Sequence, residues 1–117
     1  MKYVAIVGSR RRTDRETVDR LVAELPEGSV IISGGAPGPD RWAEEAARKY
    51  GREMRVIHPD LEEVRSQGQR TRRYHVRNQR IVDLADEMFA LVAPNRRGGT
   101  EDAIRRARRK GIPIALL

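Results

Sequence analysis

Three glycines, an aspartate and the start of a helical pattern are crowded into one stretch, Ser33-Gly34-Gly35-Ala36-Pro37-Gly38-Pro39-Asp40-Arg41-Trp42. It follows the apolar run Val30-Ile31-Ile32 and precedes Ala43, Ala46, Ala47 and Tyr50, which recur at i, i+3, i+4 and i+7. Strand, glycine-rich turn and helix in that order aim free backbone N–H groups at whatever lies above the turn. The positive end of the helix dipole favours an anion there, most often a phosphate. Glycine lets the backbone approach such a ligand with no Cβ in the way. The stretch has neither the Gly-Lys-Ser/Thr of a Walker loop nor the GxGxxG spacing of the dinucleotide fingerprint. It reads equally as a tight strand-to-helix turn with Asp40 as the N-cap.

Two further stretches carry similar residue types: Gly8-Ser9-Arg10, after the apolar run Tyr3 to Val7, and Gly98-Gly99-Thr100, after Phe89 to Val92. Ser9 has no identifiable histidine partner, which speaks against a serine hydrolase. His58 and His75 are the two histidines, and with Asp60 they lack metal-ligand spacing; they read as surface or loop residues, with no metal or other cofactor expected.

The chain of 117 residues suffices for one domain, 1–117, with a single core. Its formal net charge is +7, and nearly all its basic residues are arginine. Arginine suits bidentate contact with phosphate or carboxylate, although base composition and heat adaptation enrich it too. Cysteine is absent, which excludes disulfides, thiolate chemistry and zinc–cysteine sites. No apolar run is long enough to span a membrane, and the N-terminal run is too short for a signal peptide, so a cytoplasmic protein is expected.

The elements that must position these loops are short. Tyr3 to Val7 is a strand buried on both faces. Thr13 or Asp14 caps a helix with Val18, Leu21, Val22 and Leu25 on one stripe, stopped at Pro26-Glu27-Gly28. Val30 to Ile32, Met54 to Ile57, Phe89 to Val92 and Ile112 to Leu116 are further strands, the last an edge because of Pro113. Leu61 to Arg73 has no period and reads as a loop or irregular helix over the site, with Arg65, Arg70, Arg72, Arg73, Arg77 and Arg80 gathered there and just beyond. Tyr74 to Ala85 reads as a helix with Ile81, Leu84 and Ala85 inward. A last helix starts at Glu101, capped by Thr100, with Ala103, Ile104 and Ala107 inward and Gly111 at its end. The cations of Arg105 to Lys110 complement the dipole at its C-terminus. Strands alternating with helices predict a three-layer, Rossmann-like α/β domain: a parallel sheet of about five strands with helices on both faces. All three glycine-bearing loops then fall at the carboxyl edge of the sheet, where such folds bind ligands.

In this order, Gly8-Ser9-Arg10, Ser33-Gly34-Gly35-Ala36-x-Gly38-x-Asp40, Arg77-Asn78-Gln79-Arg80-Ile81 with Ala85-Asp86, and Gly98-Gly99-Thr100 resemble the SLOG superfamily of Rossmann-like proteins, named for Smf/DprA and the Lonely Guy enzymes. The resemblance covers nearly the whole chain and is nearest to the small stand-alone YspA/YpsA-like branch. It implies a nucleotide or nucleotide-derived ligand, sensed or turned over. Gly8, Ser9 and Arg10, the amides of Gly34, Gly35, Ala36 and Gly38, and those of Gly98, Gly99, Thr100 and Glu101 would hold phosphate and ribose. Arg77 would pair with phosphate and Asn78 with base or sugar. Asp40 would accept from ribose hydroxyls or cap its helix.

Lonely Guy enzymes are phosphoribohydrolases that cleave an N-glycosidic bond. Their signature is Pro-Gly-Gly-x-Gly-Thr-x-x-Glu, preceded by an arginine on the helix before. Arg77 and Thr100 fit that pattern, but Ala103 stands where the glutamate belongs, and Glu101 and Asp102 fall earlier. On this resemblance Arg77 and Glu101 are the catalytic candidates, with Asp102 the other candidate acid. The DprA branch, in which a related domain holds single-stranded DNA, implies instead a nucleic-acid track along Arg65 to Arg80, with Tyr74 and His75 placed to stack. Small members of the superfamily also associate, which implies a homo-oligomer.

Overall fold

A computed structural model describes residues 2–117. The elements are β1 (Tyr3–Gly8), α1 (Arg15–Glu24), β2 (Val30–Ser33), α2 (Pro39–Lys49), β3 (Glu53–Val56), α3 (Gln67–Leu84), β4 (Glu87–Leu91), α4 (Gly99–Lys110) and β5 (Ile114–Leu116). All strand pairs are parallel, in the order β3-β2-β1-β4-β5. Among the described residues no helix is long and apolar enough to cross a membrane.

Alternation along the central strands divides the core into two layers. Val4, Ile6 and Ile31 face α1 and α2, packing on Val18, Val22, Ala43, Ala46 and Ala47. Ala5, Val7, Ile32 and Met88 face the other way, against Ile81 and Val82 of α3 and Ala103, Ile104 and Ala107 of α4. β1 and β2 are thus buried on both faces, as their unbroken apolar runs require, whereas the edge strand β3 leaves Glu53 and Arg55 exposed. β1 leads to β2 on one side, whereas β3 leads through α3 back across to β4 on the other. The strand order therefore reverses between β1 and β4, and the loops after these two strands part to leave a crevice.

Several boundaries differ from the sequence expectation, each for a local reason. α3 begins at Gln67, well before Tyr74, because Ser66 Oγ accepts from the Gln69 amide (3.1 Å) while Gln69 Oε1 accepts from the Arg65 amide (2.6 Å). This closely resembles a reciprocal capping box, and the Ser-x-x-Gln spacing was its signal. Leu84 is exposed and Val82 takes the inward position beside Ile81 and Ala85. Neither Asp40 nor Thr100 is an N-cap: Gly38 and Gly98 hold those positions, with φ of 91° and 106°. Asp14 does occupy the N-cap of α1, but its carboxylate takes the Arg12 guanidinium and no helix amide. β5 starts at Ile114 and is an edge strand, as Pro113 suggests. Of the basic run at the end of α4, Lys110 Nζ donates to the carbonyls of Val82, Asp83 and Ala85, closing the C-terminus of α3.

Gly8 shows why a glycine ends β1. A Cβ there would lie 2.6 Å from Cβ and Cγ of Pro39 and 3.0 Å from Cβ of Leu91. Its missing side chain lets the first turn of α2 rest directly on β1. Gly8→Ala is expected to lower stability by about 1–3 kcal/mol, the usual range for overpacking a tight contact. Urea denaturation measures this, and a variant as stable as the parent would show that the α2 start can move aside.

Candidate functional site

The three glycine-bearing loops do converge. With the loop after β3 and the middle turns of α3 they enclose a cleft of about 780 Å³ at the carboxyl edge of the sheet. Gly8, Ser9, Arg10, Gly34, Gly35, Ala36, Asp40, Arg77, Asn78, Gly98, Gly99 and Thr100 line it. Gly38 does not, but it packs under the loop after β1, where a Cβ would come within 3.3 Å of the Arg10 Cα. Arg11, His58, Arg97 and Arg105 also line the cleft and were not assigned to it from the sequence, and the candidate acid Asp102 and the stacking candidates Tyr74 and His75 line it as well.

The loop after β2 is held from within. Asp40, buried one residue inside α2, points its Oδ2 back at the turn and accepts from the amides of Gly34 and Ala36, both at 3.2 Å. The Gly35 amide donates to Ser33 Oγ at 3.1 Å, and that hydroxyl donates to the Asp40 carbonyl. Three amides expected to face a ligand are therefore engaged inside the turn. Ser9 likewise turns its own loop, its Oγ accepting from the Arg11 amide at 3.1 Å.

Arg77 crosses to this turn from α3. Its Nη1 donates to the Gly34 carbonyl at 2.6 Å, its Nε to Asn78 Oδ1 at 3.0 Å, and its guanidinium lies 5.6 Å from the Tyr74 ring centre. Gly34 is glycine because a Cβ would sit 2.6 Å from that Nη1 and 2.9 Å from Asp40 Oδ2. Burial pushes the Arg77 pKa down, and the neighbouring Asp40 charge opposes this. The guanidinium stays charged regardless.

Asn78 extends the network to α4. Its Nδ2 donates to Asp102 Oδ2 at 3.0 Å and to the Gly99 carbonyl at 3.3 Å. Asp102 also accepts from Arg106 Nε at 2.9 Å, and Arg106 in turn donates to Gln79 Oε1. Burial alone would raise the Asp102 pKa, but the bonds from Arg106 and Asn78 and the positive charge around them hold it below its ordinary value. His75 Nε2 stands 3.8 Å from Asp102 Oδ1.

Of the two candidate acids at the helix start, Asp102 is the one that the cleft presents. Glu101 turns away from the cleft into a two-pronged pair with Arg96, at 2.8 and 3.0 Å, while Asp102, one residue on, is buried and faces the cleft. A single step along a helix turns a side chain by about 100°, enough to separate the two roles. Among the described residues no three histidine or carboxylate side chains converge as a metal site would need.

No protein-family model matches this chain, and no curated protein does. Its fold is shared with solved structures. DNA processing protein A (DprA) from Streptococcus pneumoniae is similar over 99% of this chain, with a TM-score of 0.81 and 21% identity. TM1055, a structural-genomics target, is similar over 97% of this chain and 72% of its own, with a TM-score of 0.70 and 20% identity. The chain spans half the length of that DprA chain.

Asp40 carries a measurable consequence. Desolvation raises its pKa from 3.8 to about 6, against the pull of the Ala36 amide, the Arg77 charge and the Gly34 amide. Because the folded value lies above the unfolded one, the stabilisation from its protonation is full below the unfolded value and lost as pH rises through the folded value. Between about pH 4 and pH 7 the parent protein should lose up to about 3 kcal/mol relative to Asp40→Asn. Urea denaturation across that range tests it, and parallel stability profiles for the two proteins would contradict it.

Proposed function

We propose that this chain is a SLOG-type domain whose cleft binds a nucleotide or nucleotide-derived ligand. The observation that carries the reading is a cleft at the point where strand order reverses, lined by Arg10, Arg11, Arg77, Arg97 and Arg105. Arginines from two loops and two helices facing one hollow suit a phosphorylated guest, because guanidinium and phosphate match in charge and geometry. Arg77 is the one fixed in place before any ligand arrives, held by Gly34 and Asn78. The amides of Gly99 to Glu101, at the positive end of α4, add a complementary field. The fold likeness to a DNA processing protein supports a guest of nucleic-acid chemistry.

If the cleft turns its ligand over by N-glycosidic cleavage, Asp102 and not Glu101 is the carboxylate at hand. A carboxylate is needed there to steady the oxocarbenium-like transition state or activate water. Arg77 would then hold the phosphate.

Single-stranded nucleic acid is the second reading. A regular α3 places Arg70, Arg73, Arg77 and Arg80 at i, i+3, i+7 and i+10, along one side of the helix and leading past the cleft. Against it, Arg73 is paired with Asp60 and Arg77 is turned into the cleft.

Equilibrium binding of fluorescent adenosine and guanosine monophosphates, beside a short labelled oligothymidylate, at two salt concentrations separates the two. The nucleotide reading expects saturable mononucleotide binding that changes little with salt and weakens tenfold or more in Arg77→Ala. Circular dichroism confirms that the variant is folded. Oligonucleotide binding alone, falling steeply with salt and lost in the Arg70→Ala, Arg73→Ala, Arg80→Ala triple variant, would establish the second reading instead.

A further inference from the structure

The charges lining the cleft are unequally committed. Asp40 and Arg77 face one another across Gly34, and Asp102 is hydrogen-bonded to Arg106 outside the cleft, so both buried carboxylates already have a cationic neighbour. Arg10, Arg11, Arg97 and Arg105 do not share this: among the described residues their guanidinium groups donate no hydrogen bond, and Arg105 approaches Asp102 only to 3.8 Å. All four are exposed. Two come from the loop after β1 and two from the loop after β4 and the first turns of α4. They flank the place where strand order reverses. The opposite end of the cleft is of another kind, with Tyr74, His58 and Pro59 in its wall.

A phosphate monoester carries a charge of about −2 near neutral pH, and each added phosphate in a chain about one more. One phosphate leaves part of a four-arginine cluster unneutralised, whereas two or three linked phosphates match it. The cleft volume of about 780 Å³ is also ample, within the range of about 300–1,000 Å³ usual for small-molecule sites.

We propose that the ligand of this cleft is a nucleotide carrying two or more linked phosphates, with the phosphate chain lying between Arg10–Arg11 and Arg97–Arg105 and the base directed toward Tyr74 and His58. This rests on the nucleotide reading above and narrows it. Arg77 grips the first phosphate, and the four exposed arginines close on those beyond it. Before binding they repel one another at the mouth of the cleft, which draws in anions and favours the more highly charged one.

The test is calorimetric titration of the chain with adenosine and guanosine, their mono-, di- and triphosphates, and inorganic pyrophosphate. Salt is held near 150 mM to screen unspecific attraction. The dissociation constant should fall tenfold or more from monophosphate to diphosphate, as expected for added charge-assisted contacts. Pyrophosphate should compete with the diphosphate. The double variants Arg97→Ala with Arg105→Ala, and Arg10→Ala with Arg11→Ala, alter exposed side chains and should melt near the parent temperature. Each should weaken diphosphate binding more than monophosphate binding, so that the gain from the second phosphate shrinks several-fold. Equal affinity for mono- and diphosphate, or a gain that survives both double variants, overturns this inference and leaves the nucleotide reading standing. Failure of every nucleotide to bind overturns both.

Discussion

The structure turns on a cross-tie at Gly34. Its amide donates to the carboxylate of Asp40, and its carbonyl accepts from the guanidinium of Arg77. One peptide segment thus links α2 to α3, which lie on opposite faces of the sheet. Asp40 is buried and Arg77 half-buried, where an unpaired charge is more costly than a paired one. The tie tolerates no side chain at residue 34, since a Cβ would meet both charged groups. Everything else at the carboxyl edge hangs from this arrangement. It fixes the Gly34–Gly38 turn, aims Arg77, and through Asn78 reaches Asp102 and the start of α4.

A turn satisfied from within behaves differently from an open anion cradle. In the latter the amides point outward and wait for the ligand; here those of Gly34, Gly35 and Ala36 are spent on Asp40 and Ser33. The turn then contributes shape and a fixed guanidinium more than donors. Recognition of charge passes to side chains, and these divide into a rigid group and a loose one. Arg77 loses little freedom when it meets a phosphate, because its conformation is already set. Arg10, Arg11, Arg97 and Arg105 must be ordered by the ligand, so each yields less net affinity per contact.

Much of the fold was legible in the sequence because its signals are local. Unbroken apolar runs mark strands buried on both faces, Val18–Val22 and Ala103–Ile104–Ala107 mark helix stripes, and Gly111 marks a left-handed helix end. The three glycine-bearing loops fall at one edge by topology alone. What escaped reading depends on where side chains point. Asp40 and Thr100 resemble N-caps by residue type, yet glycines with positive φ already make the turn into each helix. Leu84 looks like core and is not, since the inward stripe of α3 runs through Asn78, Ile81, Val82 and Ala85. The early start of α3 was hidden behind an arginine-rich, aperiodic segment, although Ser66 and Gln69 carried the signal.

Glu101 and Asp102 mark the limit of that legibility most sharply. In sequence they are adjacent acids on the first turn of a helix, and nothing in their types separates them. In space Arg96, held at a positive φ of 54° in the preceding loop, takes Glu101 out of the cleft. Asn78 and Arg106 hold Asp102 in it, ionised and with one oxygen still facing His75 across 3.8 Å. The carboxylate therefore reaches the site by way of two neighbours that a linear motif does not include. A residue pattern taken from any related fold would have to be matched to the contacts around each acid, and not to its distance from Thr100, before a role in chemistry could be assigned to it.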